Sequence, residues 1–307
     1  MTDRRTLWLG YGACALASCL WGTGFYFGRL ALNEMSVEWM VLYRFAFACV
    51  GLVPVALMHR IHLNGREWGM VLASAALGVP LQFLLQFHGL ALTNVSHASL
   101  MVGTLPMFLA VAAVVFAGER MDGLGWVALA GSTVGSGLIV LGGHSAGGHS
   151  SLRGDLMIVL SLIISLAWIL LSKRLMRSHG PAAITSYTIV IGAAMLAIWV
   201  LIPWLAGHGE PPPLARVSRT AWVALAVGGL LCTTTTTLLW NWGIHHVPAS
   251  RAGVFLNLEP AVGSVLGVQL LGEQLGPLAW VGGGLLLTAA VMLTTRSQTT
   301  YAPEVLE

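Results

Sequence analysis

The chain has 307 residues, of which 56% are hydrophobic and 9% charged, with a formal net charge of +3 and a mean hydropathy of +0.80. An average soluble domain carries roughly 25% charged residues, so this composition excludes a water-soluble globular protein. The small, dispersed charge also argues against a polyanion partner, nucleic acid included.

About 20 apolar residues cross a bilayer as a helix, and ten such stretches follow one another. In the first half they cover residues 7–30, 36–58, 68–92, 96–117 and 123–141; in the second, 154–171, 182–205, 220–243, 249–271 and 277–295. Between the halves, residues 142–153 are rich in Gly, Ser and His and read as a flexible linker. No stretch remains for a soluble domain. At the N-terminus Arg4 and Arg5 precede the first apolar run, and Leu16-Ala17-Ser18-Cys19 superficially matches a lipoprotein cleavage box. The run continues past Cys19 to Leu30, so an uncleaved first helix is expected. The cysteines Cys14, Cys19, Cys49 and Cys232 lie in apolar stretches without metal-site or disulfide spacing and read as small packing residues.

Sliding the sequence over itself by 154 residues pairs Trp68 with Trp222, Gly89 with Gly243, Pro106 with Pro260, Glu119 with Glu273 and Trp126 with Trp280. Fifteen of the 60 positions from 68 to 127 are identical in this ungapped alignment, about three times what two Leu/Val/Gly/Ala-rich stretches share by chance. The expected fold is therefore an all-α integral membrane protein of ten transmembrane helices, built as two five-helix repeats over 7–141 and 154–295. An odd number of helices per repeat makes the two copies inverted. With the N-terminus inside, the basic residues divide ten inside, four outside and one, Arg44, intramembrane. The positive-inside rule then places both termini in the cytoplasm. Trp8, Trp39, Trp68, Trp126, Trp204, Trp222 and Trp280 fall near helix ends, as interfacial belt residues do.

Leu20-Trp21-Gly22 in the first helix, Tyr43-Arg44-Phe45 in the second, and Leu105-Pro106 followed by Gly118-Glu119-Arg120 resemble the drug/metabolite transporter superfamily and, within it, the EamA-type ten-helix exporters. Glu259-Pro260, Gly272-Glu273 and Trp280-Val281-Gly282-Gly283-Gly284 supply the second copy of the pattern. The resemblance runs from about Gly10 to Leu293 and implies an inner-membrane carrier exporting amino acids and other small metabolites. Its cavity would lie between helices 1, 3, 4, 6, 8 and 9, with helix 2 peripheral.

Glu259 falls about ten residues into the ninth span, near the midplane, where a carboxylate costs a few kcal/mol and is a functional candidate by default. Apolar surroundings disfavour its charged form, which would let it take up and release protons; a permanently paired residue that locks packing is the alternative. Arg44 cannot deprotonate and must reach water, a carboxylate or backbone carbonyls. Snorkelling or an interhelix pair with a residue such as Glu38 is the preferred, structural reading; binding of a substrate carboxylate is the other. Pro106 and Pro260 each remove a helix hydrogen bond at matched places, marking kinks, hinges or a midplane site.

Gln82, Gln86, Thr104, Asn241 and Asn257, with the run Thr233–Thr237, must hydrogen-bond a cavity or one another. Trp21, Tyr26, Trp168 and Trp240 are aromatic candidates for a cavity wall that would take an apolar group or an ammonium. Ser18 and Ser165 each precede a tryptophan by three residues, Trp21 and Trp168, which matches the first helix to the sixth. Glu119 and Glu273 read as structural, each near the N-terminus of the next helix. No metal, cofactor or enzyme motif is present: there is no Gly-x-Ser-x-Gly or His-Glu-x-x-His, and neither His245-His246 nor the pair His144 and His149 has ligand spacing. The expected function is a secondary transporter working by alternating access, driven by protons through Glu259. An uncoupled facilitator of amphipathic solutes or drugs is the alternative. A membrane scaffold or sensor and an intramembrane enzyme lack supporting residues.

Overall fold

In the computed structural model, residues 4–92, 95–103, 105, 108, 112, 122–143, 152–208, 214, 216–272 and 277–296 are described. The regular structure among the described residues is helical, with no strand. Six of the described helices are long and apolar enough to cross a membrane.

In chain order the helices are α1 (Arg4–Leu32), α2 (Val37–Met58), α3 (Gly65–Ala91), α4 (Val95–Val102), α5 (Gly123–Gly143), α6 (Leu152–Leu175), α7 (Pro181–Leu205), α8 (Arg219–His246), α9 (Ala249–Leu271) and α10 (Pro277–Arg296). Their ends follow capping chemistry more than hydropathy. α3 starts at Gly65, three residues before the apolar run, because the Asn64 side chain accepts from the Glu67 amide while Glu67 accepts from the Asn64 amide, both at 2.9 Å. Ser218 caps α8 by accepting from the Ala221 amide at 3.2 Å. Pro181 opens α7, where its missing N–H is no loss. α9 ends on Gly272 at φ 70°, a left-handed conformation in which glycine has no Cβ penalty.

Three of the membrane helices are not uniform. α3 carries a π-helical turn over Leu77–Leu81 that contains Pro80, and α8 carries one over Leu230–Thr235. Under the 154-residue offset these turns fall on the same stretch of the repeat. α9 begins with Ala249–Ala252, passes through a 3-10 segment at Gly253–Asn257 and resumes as α-helix at Leu258–Leu271. The 3-10 segment contains Leu256, four residues before Pro260, whose carbonyl a proline nitrogen cannot bond.

The packing is two-fold in pattern. α3 lies on α6 and α7, and α8 lies on α1 and α2; α4 touches α6 as α9 touches α1; α2 meets α7, α4 meets α9 and α5 meets α10. The aligned glycines do aligned work. A Cβ on Gly89 would meet Ile158 Cγ1 at 2.6 Å and the Gly154 carbonyl at 2.9 Å in α6, and one on Gly243 would meet the Gly10 carbonyl at 2.9 Å in α1. Polar ties at opposite ends repeat the pattern. Glu34, between α1 and α2, accepts from the Ser218 amide and hydroxyl at 2.6 Å each. His179, between α6 and α7, lies 3.1 Å from Glu67 in the first turn of α3.

The largest fully buried side chains include Trp240, Phe45, Phe87 and Met40, while Leu57, Met58, Leu205 and Trp199 face outward. Trp8, Trp68, Trp126 and Trp280 are exposed, as belt residues should be. Trp39 is not: it is buried against Tyr43 and Trp204, with ring centroids 5.6 and 6.0 Å away, because α2 and α7 pack together at that end.

Candidate functional site

A cavity of about 70 Å³ opens between the helices, with walls from α1, α2, α3, α4, α6, α7, α8 and α9. That is several times the roughly 10–15 Å³ a single water needs. Most of its wall is apolar, and among the described wall residues only Arg44 and Glu259 carry charge.

Glu259 is 8% exposed and lies in the first turn of Leu258–Leu271. A helix N-terminus favours a carboxylate, yet this one has neither a side-chain hydrogen bond nor an ion pair among the described residues. Its backbone is held by α1: a Cβ on Gly22 would stand 2.5 Å from the Glu259 carbonyl oxygen and 2.9 Å from Val262 Cβ. Leu20-Trp21-Gly22 and Glu259-Pro260 thus meet in space, with Trp21 on the cavity wall and Gly22 as the seat for α9.

Arg44 is 4% exposed. Its Nε donates to Thr233 Oγ1 at 3.0 Å and Nη2 to the Cys232 carbonyl at 3.3 Å, both in the π-helical turn of α8. The guanidinium carbon sits 5.3 Å from the ring centroids of both Phe83 and Phe87, within cation–π range. The expected pair with Glu38 does not form: six residues apart on a helix they project in different directions, and Glu38 lies 3.1 Å from His88 Nε2. Arg44 and Glu259 both line the cavity without forming an ion pair.

Of the residues singled out from sequence, Trp21, Gln82, Gln86, Trp168 and Glu259 come together on the wall, joined by Arg44. Gln86 is 9% exposed and has no hydrogen-bond partner among the described residues. Trp168 fits because Gly78 yields to its ring. Tyr26 lies off the wall, packed on Phe27 with centroids 5.4 Å apart. Trp240 is fully buried behind Trp21, at 5.4 Å between centroids. Asn241 donates to Thr185 Oγ1 at 2.6 Å and so joins α8 to α7; Asn257 is buried outside the wall. In the threonine run, Thr236 and Thr237 bond their own helix, Thr234 donates to the Ala48 carbonyl at 2.9 Å, and Thr237 also reaches the cavity. Thr104, Pro106, Glu119 and Glu273 lie outside the described residues.

Sequence reasoning passed over Phe83 and Phe87, which flank Arg44, and Gly24, which stands against its Nη2. The available signal was the spacing Gln82-Phe83, Gln86-Phe87, which turns two amides and two rings toward neighbouring faces of α3.

A cavity with opposed, buried charges inside a set of membrane helices is the architecture of a solute carrier. The chain belongs to the EamA-like transporter family, whose model matches it twice, over residues 8–141 and 152–295. It is similar to an uncharacterized transporter of Archaeoglobus fulgidus, 24% identical over 92% of this chain and 96% of the relative. A probable terminal-alkyne amino-acid exporter of Streptantibioticus cattleyicolor is 26% identical over 93% of each chain. In fold, the chain resembles a solved crystal structure with a TM-score of 0.72 at 16% identity, covering 94% of this chain and 98% of the other. It is thus a membrane transporter of the EamA kind.

Proposed function

We propose that this transporter exports small amphipathic metabolites such as amino acids across a bacterial-type inner membrane, by alternating access between two inverted five-helix repeats. Proton movement is coupled through Glu259. The observation that carries the reading is Glu259 itself, nine-tenths buried on a cavity wall with no protein partner among the described residues. An unpaired carboxylate in such a place is costly, and a proton or a substrate cation offsets that cost at different points of a cycle. The mirrored packing and the matched π-helical turns support the repeat reading. The distribution of basic residues supports cytoplasmic termini, and the exporter from Streptantibioticus cattleyicolor supports the substrate class.

The test is counterflow in proteoliposomes against labelled amino acids, nucleosides and cationic drugs, with and without a pH gradient. Flux of one class accelerated by the gradient is expected, with the acceleration lost in Glu259→Gln. Full gradient-driven flux in that variant refutes the coupling. Flux indifferent to the gradient in the wild type assigns a facilitator and leaves Glu259 to packing.

A further inference from the structure

We propose that Arg44 is the specificity-determining anchor for an anionic group on the substrate, and that with Glu259 it makes the cavity selective for molecules bearing both charges. The inference rests on this cavity being the transport site.

A guanidinium has five N–H donors. Two of those on Arg44 are used, on Thr233 and the Cys232 carbonyl, and three have no acceptor among the described residues. A purely structural arginine at this depth would be closed off by a carboxylate or by further carbonyls, because a buried unpaired charge costs several kcal/mol. Instead the surroundings of Arg44 orient it and leave donors spare. Phe83 and Phe87 hold its guanidinium group 5.3 Å from each ring, and Gly24 stands so close that a Cβ there would lie 3.3 Å from Nη2. The π-helical turn of α8 holds its Nε and Nη2. Such turns occur often at functional sites, and here the turn presents the carbonyl that aims the side chain.

The second, independent observation concerns two other groups on the same wall. Glu259 and Gln86 are each at least nine-tenths buried, each without a protein hydrogen bond among the described residues, and both on the wall. Arg44 supplies donors, Glu259 acceptors, and the Gln86 amide both. With Glu259 ionised the charged wall groups sum to zero, so a lone amine leaves Arg44 unmatched and a lone carboxylate leaves Glu259 unmatched, whereas a zwitterion satisfies both. The small space of about 70 Å³, charged at two points and apolar over most of its wall, suits a compact charged group joined to an apolar one.

The experiment measures binding rather than flux, by calorimetry on the purified full-length protein in lipid nanodiscs. Leucine, phenylalanine and methionine are each compared with the amine lacking the carboxylate and with the acid lacking the ammonium. The expected result is that at least one amino acid binds, tenfold or more tighter than both of its single-charge analogues. Arg44→Gln should then weaken the amino acid by about 10–100-fold, the range of a lost charge-assisted hydrogen bond, without weakening the amine, which no longer leaves a guanidinium unmatched. Arg44→Lys should restore part of the loss, and Glu259→Gln should erase the preference over the acid. Thermal unfolding of each variant establishes that it is folded.

An unchanged amino-acid-to-amine ratio in folded Arg44→Gln and Arg44→Lys overturns the proposal, and so does wild-type binding of none of the three amino acids. Counterflow of a nucleoside or drug in the same preparation would then leave the exporter reading standing. Zwitterion binding without any counterflow would retire that reading and keep the anchor.

Discussion

Gly22 and Gly12 lie on the same helix and differ in what a methyl group would meet. On Gly22 it would stand 2.5 Å from the Glu259 carbonyl oxygen, 2.9 Å from Val262 Cβ and 3.2 Å from the Gly263 nitrogen; on Gly12 it meets nothing within 4 Å. Comfortable contact needs roughly 3.5 Å or more, so Gly22→Ala must part α1 and α9 by about 1 Å, and the atoms in the way are mostly backbone that cannot rotate aside. Overpacking costs about 1–3 kcal/mol, here near the upper end and offset by the roughly 0.5–1 kcal/mol that alanine gains over glycine in a helix. Gly12→Ala collects only the gain. The two variants should differ by about 3 kcal/mol, or roughly 6–12 °C in melting temperature at about 2–4 °C for each kcal/mol. Parallel thermal melts in one detergent make the comparison, and Gly22→Ala should also lose transport because Glu259 moves with α9. Melts within about 2 °C of each other would refute the close-packing argument.

Thr185→Val removes the acceptor for Asn241 and should lower the melting temperature by a few degrees, matching a buried interhelix bond of about 0.6–1.7 kcal/mol, with substrate affinity unchanged in calorimetry. Gly78→Ala should do the reverse. Its Cβ would lie 2.6 Å from Trp168 Nε1, turning the ring into the cavity and weakening binding about tenfold or more, visible as altered tryptophan emission. The Ser218 hydroxyl and amide hold the Glu34 carboxyl below its ordinary value near 4.5. A carboxyl depressed in the folded state contributes stability that is complete above that ordinary value and is lost as pH falls through the lower one. Melts between pH 7 and pH 3 should therefore show an acid-side decline that Glu34→Gln flattens, and an identical pH profile for the variant would remove the contact from the stability of the protein.

Much of the architecture was legible in the chain because hydropathy is local and additive. The stretch 182–205 became Pro181–Leu205, and 36–58 became Val37–Met58. Where the ends moved, as at Gly65, a capping box outside the apolar run decided them. The 154-residue offset also carried more than it showed, since it aligns two π-helical turns that no propensity announces. Within the candidate site, Trp21, Gln82, Gln86, Trp168 and Glu259 were recognisable as polar or aromatic residues at depth, while Tyr26, Trp240, Asn241 and Asn257 had the same signature and lie elsewhere.

The difference between those two groups is helix rotation. A soluble helix declares its buried face by alternating apolar and polar residues, but a helix in lipid is apolar all round, so periodicity leaves its rotation open. Arg44 is the sharpest case. Its composition and depth mark it as a charge needing partners, yet those partners, Thr233 and Cys232, lie almost two hundred positions away on a helix whose local π-helical turn aims their groups. By itself the sequence marked the chain as a twice-repeated run of apolar helices, with Glu259 and Arg44 as charged candidates at depth. Only tertiary packing, through glycine contacts such as Gly22 on Glu259 that set helix spacing and rotation, decided that the two charges share a cavity.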